Sequence, residues 1–224
     1  MTTIAGFEQT AAKPIKPSLR GVLHQWAAVS TFGAGVVLVA MAPTARAASA
    51  ALIYMLSVVT LFTVSAVYHR PTWSPPRRAF MRRLDHAAIF VLIAGTYTPI
   101  CLLGLPEALA ARLLTTVWLG ALAGVFQSIF WVHAPKPVTA LIYLFVGWSI
   151  VPYIGAVRAA LSTTQGALIL GGGLVYSLGA VVYALRKPDI VKNVFGYHEV
   201  FHALTLIACA MHFALVLQLV RAAH

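Results

Sequence analysis

ASAALIYMLSVVTLFTVSAVYH, residues 48–69, is the stretch that decides the fold. It carries no Asp, Glu, Lys or Arg, and it is longer than the roughly 20 apolar residues an α-helix needs to cross a ~30 Å hydrocarbon core. Outward from it, runs of the same kind recur at 21–42, 84–104, 109–131, 137–157, 165–185 and 197–220. Together they predict an all-α, polytopic membrane protein built as a bundle of seven transmembrane helices. Breakers punctuate the connectors, at Pro43-Thr44, Arg70 to Pro76, Leu105-Pro106-Glu107, Pro135-Lys136-Pro137 and Lys187-Pro188-Asp189. Pro99 and Pro152 fall inside predicted spans and are expected to kink them, which membrane helices tolerate when neighbours satisfy the freed carbonyl.

Composition agrees with this class. Charged residues make up 9% of the chain and apolar ones 60%, and the mean hydropathy of +0.86 is too high for a water-facing surface. A net charge of +11 would point to nucleic acid in a soluble protein. Here the basic residues sit in short loops, where they set orientation instead, and no nucleic-acid partner is expected. Of the 16 Lys and Arg residues, only Arg46, Arg112, Arg158 and Arg221 fall opposite the N-terminal side; the rest, from Lys13 and Lys16 to Lys192, lie on it. That excess predicts a cytoplasmic N-terminus and a C-terminus outside; residence in the inner (plasma) membrane is a separate expectation for the multi-pass chain.

Residues 1–20 then form a short polar cytoplasmic segment, and residues 21–224 a single transmembrane domain with no room for a soluble second one. No apolar core with a small-residue cleavage site precedes the first span, which is expected to act as its own uncleaved signal. Cys101 and Cys209 lie within apolar runs without CxxC spacing, as small buried hydrophobes. Gly33, Gly35, the Gly120-xxx-Gly124 pair and Gly171-Gly172-Gly173 suit close approach of helix backbones, with a hinge at the triple glycine as the alternative.

Ionisable groups at lipid-embedded helices cost roughly 2.5–3.5 kcal/mol each at the helix centre, so each needs an explanation. In His198-Glu199-Val200-Phe201-His202 the two imidazoles are four residues apart, one helical turn along one face, the geometry for gripping one metal ion. Ser65 and His69 share a face at the end of the second span, and Asp85 follows Arg82-Arg83 at the start of the third. Taken singly, His69 reads as an interfacial side chain, and Asp85 as a helix N-terminal carboxylate beside an arginine.

Topology changes that. The second span runs inward while the third and seventh run outward, so His69, Asp85, His198 and His202 all reach one membrane depth near the cytoplasmic face. Three His ligands with an open fourth position describe a catalytic zinc site. There Asp85 would take the water's proton or hold the water in place, while Ser65 would orient His69 or donate to a developing oxyanion. His24, His133 and His224 lie near helix ends, where interfacial placement suffices; His86 points ~100° away from Asp85; His212 reads as a helix-packing residue.

Ser65-xxx-His69, then Asp85, then His198-xxx-His202 resemble the bacterial hemolysin III family. That family lies within the progestin and adipoQ receptor group, which includes the adiponectin receptors and is similar to the alkaline ceramidases. The resemblance extends from about residue 20 onward. It implies seven helices with a cytoplasmic N-terminus, zinc (Zn2+) held by His69, His198 and His202, a zinc-bound water contacted by Asp85, and Ser65 behind them. It further implies hydrolysis of a lipid amide such as ceramide, with cytolytic or pore-forming behaviour and membrane-lipid homeostasis attached to the bacterial branch; the clustered His and Asp make a lipid ester the other expected substrate.

Two other classes compete. His198-Glu199-xx-His202 matches the HExxH of zinc proteases, in which the Glu is the general base; with His69 and Asp85 completing a site, Glu199 is expected instead to be an interfacial acid. A pore-forming cytolysin, or a sensor in which the metal is structural, would use the histidines as a clamp. No long amphipathic segment offers a polar face to line a pore.

Overall fold

In a computed structural model the chain is described at residues 16–131 and 133–224; most of the predicted polar segment, Lys13 included, lies outside the described residues. Among these are seven helices long and apolar enough to span a membrane. They are α1 (Val22–Ala40), α2 (Ala45–His69), α3 (Pro75–Gly104), α4 (Glu107–Phe130), a fifth span broken into α5 (Lys136–Gly147) and α6 (Ile154–Ala160), α7 (Thr163–Leu185) and α8 (Tyr197–Ala222). The seven-span bundle is therefore as the apolar runs predict, and the chain is a multi-pass membrane protein. Its outer faces are apolar: Phe145 on α5 and Phe130 on α4 are 82% and 71% exposed, as side chains meeting lipid can be.

Boundaries differ where local chemistry outruns hydropathy. Thr44 accepts a hydrogen bond from the Ala47 backbone N–H and starts α2 three residues early. Ser74 followed by Pro75 and Pro76 starts α3 nine residues ahead of the apolar run, because proline suits the first helical turn, where its missing N–H leaves nothing unpaired. The basic stretch Arg77 to Arg83 is thus helical rather than loop. Ser162 and Gln165 form a reciprocal capping box at α7. The two internal prolines part company: α3 runs on through Pro99, whereas at Pro152 the fifth span breaks into a turn and a 3-10 segment, Val151–Tyr153.

α1 packs on α2, α2 on α3, α3 on α4, and α7 on α8. α2 and α3 are the most enclosed spans. α8 crosses the middle and touches α1, α2 and α3, burying Leu215, Val216 and Val220. Small residues make these approaches possible. The fully buried ring of Phe90 on α3 lies where a Cβ on Gly124 would fall, and the His212 ring of α8 where one on Gly172 would fall. The triple glycine thus lies inside the continuous helix α7, with Gly171 and Gly172 packed against α8 and Gly173 against Trp148. Cys101 and Cys209 are free and buried, as expected.

The two halves of the Gly120-xxx-Gly124 pair are not equivalent. A Cβ at Gly124 would strike an enclosed aromatic ring, while one at Gly120 would meet Val146 methyls at 3.3 Å and 3.4 Å. Gly124→Ala should destabilise the detergent-solubilised protein by about 1–3 kcal/mol. Gly120→Ala should stay much nearer wild type, and apparent melting temperatures of the two variants measured side by side check the order.

Candidate metal centre

His69 closes α2, and His198 and His202 lie in the first two turns of α8. The start of α8 is fixed by its own chemistry. The Gly196 N–H donates to Glu199 Oε2 at 2.9 Å and the Tyr197 N–H to Asp189 Oδ1 at 3.1 Å, so orphan donors of the first turn are answered by acids, which the helix dipole also favours there. With the helix anchored, both imidazoles project toward the end of α2. One ligand nitrogen from each of His69, His198 and His202 lies within 4.8 Å of the other two.

His198 Nε2 stands 3.1 Å from His69 Nε2. Two nitrogens each ~2.0–2.1 Å from a tetrahedral zinc stand roughly 3.3–3.4 Å apart, so the spacing is close to one edge of a coordination tetrahedron. A hydrogen bond between the two rings has a similar length, but it leaves the convergence of the third nitrogen unexplained. The donor set therefore fits a divalent cation, zinc among those that suit imidazole.

Asp85 stands almost three turns inside α3, because the helix starts at Pro75. It meets the histidine cluster, as chain direction predicts, rather than the neighbouring arginine that its local sequence alone would suggest. Among the described residues its one ion-pair contact is His69, whose Nε2 lies 3.8 Å from Asp85 Oδ2. That is too long for a direct hydrogen bond and suits an intervening water. Ser65, also expected at the site, is buried there, but its hydroxyl does not bond His69. It meets His24 Nδ1 at 2.8 Å and neighbours the Asp85 carboxyl.

Two expectations are overturned. His24, expected at the interface, is 2% exposed and stacks on His202 with centroids 3.7 Å apart and planes 11° from parallel. Glu199, expected as an interfacial acid, is wholly buried. Arg20 pairs with its Oε1, while Oε2 accepts from Gly196. With both oxygens engaged, Glu199 is an anchor for the segment before α1 rather than the free base that an HExxH protease needs. Its spacing three residues after Gly196 was the available signal; for His24 only its place near a span end hinted at the shared depth.

The rim at this end of the bundle is basic. Lys16 donates to the Arg70 carbonyl at 2.8 Å, and its pKa is lowered by partial burial and then by the Arg70, Arg20 and Arg78 cations. Behind the histidines a cavity of about 140 Å³ starts at Asp85, Ser65 and His202 and reaches Thr96, Trp148 and His212. His212 follows His202 by ten residues of α8, so the cavity extends roughly 15 Å along the helix. Apolar side chains from α3, α5, α7 and α8 wall most of it. His212 itself packs against α7, its Nε2 3.4 Å from the Ile169 carbonyl.

Comparison with known proteins agrees with this architecture. The family model described as haemolysin-III related matches residues 13–213. Hemolysin-3 of Bacillus cereus is 32% identical over 199 residues, 88% of each chain. The Hemolysin-3 homolog of Bacillus subtilis (strain 168) is 33% identical over 165 residues, 74% of each. Monocyte to macrophage differentiation factor of Homo sapiens is 28% identical over 169 residues, 72% of this chain and 66% of that protein.

His202 is the most enclosed of the three donors, at 2% exposure. His202→Ala should reduce zinc retained after dialysis from about one ion per chain to a small fraction, with helicity unchanged. Metal analysis beside circular dichroism checks this, and undiminished zinc would remove His202 from the ligand set.

Proposed function

Because this chain belongs to the haemolysin-III related family, within the progestin and adipoQ receptor group, we propose that it is a zinc-dependent membrane hydrolase. Its substrate is a lipid amide of the ceramide type, or a lipid ester. The observation that carries the proposal is the meeting of the His69, His198 and His202 nitrogens, with Asp85 3.8 Å from one of them, where two of these four residues, His202 and Asp85, line the end of a long apolar cavity. A polar reactive end on an apolar tunnel is complementary to a molecule with a scissile polar link and a hydrocarbon tail.

A zinc ion held by three imidazoles supplies Lewis acidity, polarising a carbonyl and drawing the pKa of water toward ~7. The chain supplies the rest. The Asp85 carboxylate accepts the proton of the attacking water as its oxygen adds to the carbonyl carbon, and then delivers that proton to the departing amine nitrogen or alcohol oxygen. Bond for bond, one C–N or C–O link is exchanged for a C–O link to water, giving a fatty acid and an amine or alcohol. Ser65 holds the Asp85 carboxyl in register, and the walls of α3, α5, α7 and α8 seat the acyl chain and exclude bulk water.

In the same proposal residues 21–224 act as one transmembrane domain, with the N-terminus and the metal centre on the cytoplasmic side. The twelve-to-four distribution of Lys and Arg supports that orientation. The name hemolysin-3, borne by two relatives, favours a second reading, membrane lysis with the histidines as a structural clamp.

Asp85→Asn separates the two. On the hydrolase reading it keeps the bound zinc but lowers turnover of a fluorescent short-chain ceramide by about 10²–10⁴-fold, the usual contribution of a general base. Retained turnover would reject Asp85 as the base. Lysis of vesicles by the wild type, undiminished when all three histidines are replaced, would favour the clamp.

A further inference from the structure

His24 takes no part in the proposed reaction, yet it is one of the most enclosed polar residues among those described. It is 2% exposed. One face stacks on His202 at 3.7 Å, the ring meets the Phe62 ring of α2 edge-on at 4.9 Å, and Nδ1 lies 2.8 Å from Ser65 Oγ. Its Nε2 has no hydrogen-bond partner. Burying an unanswered ring nitrogen carries a free-energy cost that a phenylalanine of similar shape would avoid, so packing alone does not account for a histidine here.

We propose that His24 is a positioning residue for the metal centre: it aims the Ser65 hydroxyl at Asp85 and holds the plane of the His202 imidazole. This rests on the hydrolase reading for its catalytic half only.

The hydrogen-bond inventory dictates the polarity of the chain of contacts. Ser65 and Asp85 line the same end of the cavity, and a carboxylate accepts and cannot donate, so the proton of a link between them is the single hydroxyl proton of Ser65. The Ser65 oxygen then has lone pairs to offer, and His24 must bring the proton on Nδ1. That fixes the tautomer and leaves Nε2 as the bare nitrogen, the one found without a partner. Glu or Asp in place of His24 would compete for the Ser65 proton, and Lys or Arg would add an unneeded charge. Only a neutral donor on a flat ring satisfies both Ser65 and the face of His202.

The chain seats this ring by a separate set of contacts. Arg20 pairs with Glu199, one residue after the ligand His198. Gly21 follows with φ 79°, in the left-handed region, and a Cβ there would come within 2.7 Å of His69 Cβ. Both the backbone conformation and the approach require glycine. Three residues later His24 reaches the site on the first turn of α1. Thus α1, which carries no ligand, is registered against α2 and α8 at the residues that do.

The test uses three variants of the full chain in detergent, with zinc as the metal probe. His24→Ala removes both the stack and the donor; His24→Phe keeps a ring against His202 but no donor; Ser65→Ala removes the acceptor. Zinc affinity by chelator competition should fall about 10–100-fold in His24→Ala, the usual effect of removing a partner behind a ligand, and recover most of that in His24→Phe. On the short-chain ceramide, His24→Phe and Ser65→Ala should each lower kcat more than they raise KM. Their double variant should be no slower than the worse single one, because both break the same link. A wild-type zinc affinity in His24→Ala, or losses in kcat that multiply in the double variant, would overturn the proposal. If the wild type turns over no ceramide, the hydrolase reading fails, and the zinc affinities still decide whether His24 holds His202.

Discussion

Lipid offers no water to answer a polar group, so every imidazole, carboxyl and guanidinium in a membrane bundle must find its partner inside the protein. This constraint organises one end of the molecule. His69, His198 and His202 come from two helices far apart in sequence and crowd their nitrogens within 4.8 Å. Without a cation, one hydrogen bond is the most that a pair among them shares; a cation gives all three a common partner. Glu199 is drawn from water and answered by the partly exposed Arg20, with the Gly196 N–H donating to the remaining oxygen. Most of the polar groups of this end are answered in this way, and His24 Nε2 is a nitrogen that is not.

The same constraint separates the molecule into two regions of different chemistry. Toward the loops lie the basic residues Lys16, Arg70 and Arg78 and the histidine cluster; deeper in, the space between α3, α5, α7 and α8 is walled largely by hydrocarbon. Glycines at the helix contacts bring α8 close to α7 and α4 close to α3, and with no hydrophobic effect between helices in lipid such close packing is what joins them. The three histidines are thereby carried near helix ends braced from several sides, while the cavity lies between spans.

How far the sequence disclosed this follows from which signals are local. The seven spans were readable because a run of apolar residues is a property of consecutive positions, and His198 with His202 because four residues make one turn. His69 and Asp85 joined them through chain direction alone. Ser74-Pro75-Pro76 contained the early start of α3, but hydropathy masked it, since Arg77 to Arg83 are polar on an otherwise apolar helix. His24 and the Arg20–Glu199 pair were not readable. Their partners lie 41 and 179 residues away, and nothing in the spacing around position 24 or 20 encodes which neighbour α1 will meet. Glu199 was obscured further by its resemblance to a protease motif, whose chemistry needs a free carboxylate that this packing does not leave.

The account stands on three imidazoles from α2 and α8 closing around one zinc ion. Zinc-edge X-ray absorption on the detergent-purified wild-type chain tests it most directly. The predicted spectrum has three histidine nitrogens at ~2.0–2.1 Å and one lighter oxygen contribution at a similar distance. A chain that holds no zinc after saturation and dialysis, or a spectrum without imidazole scattering, would contradict the account.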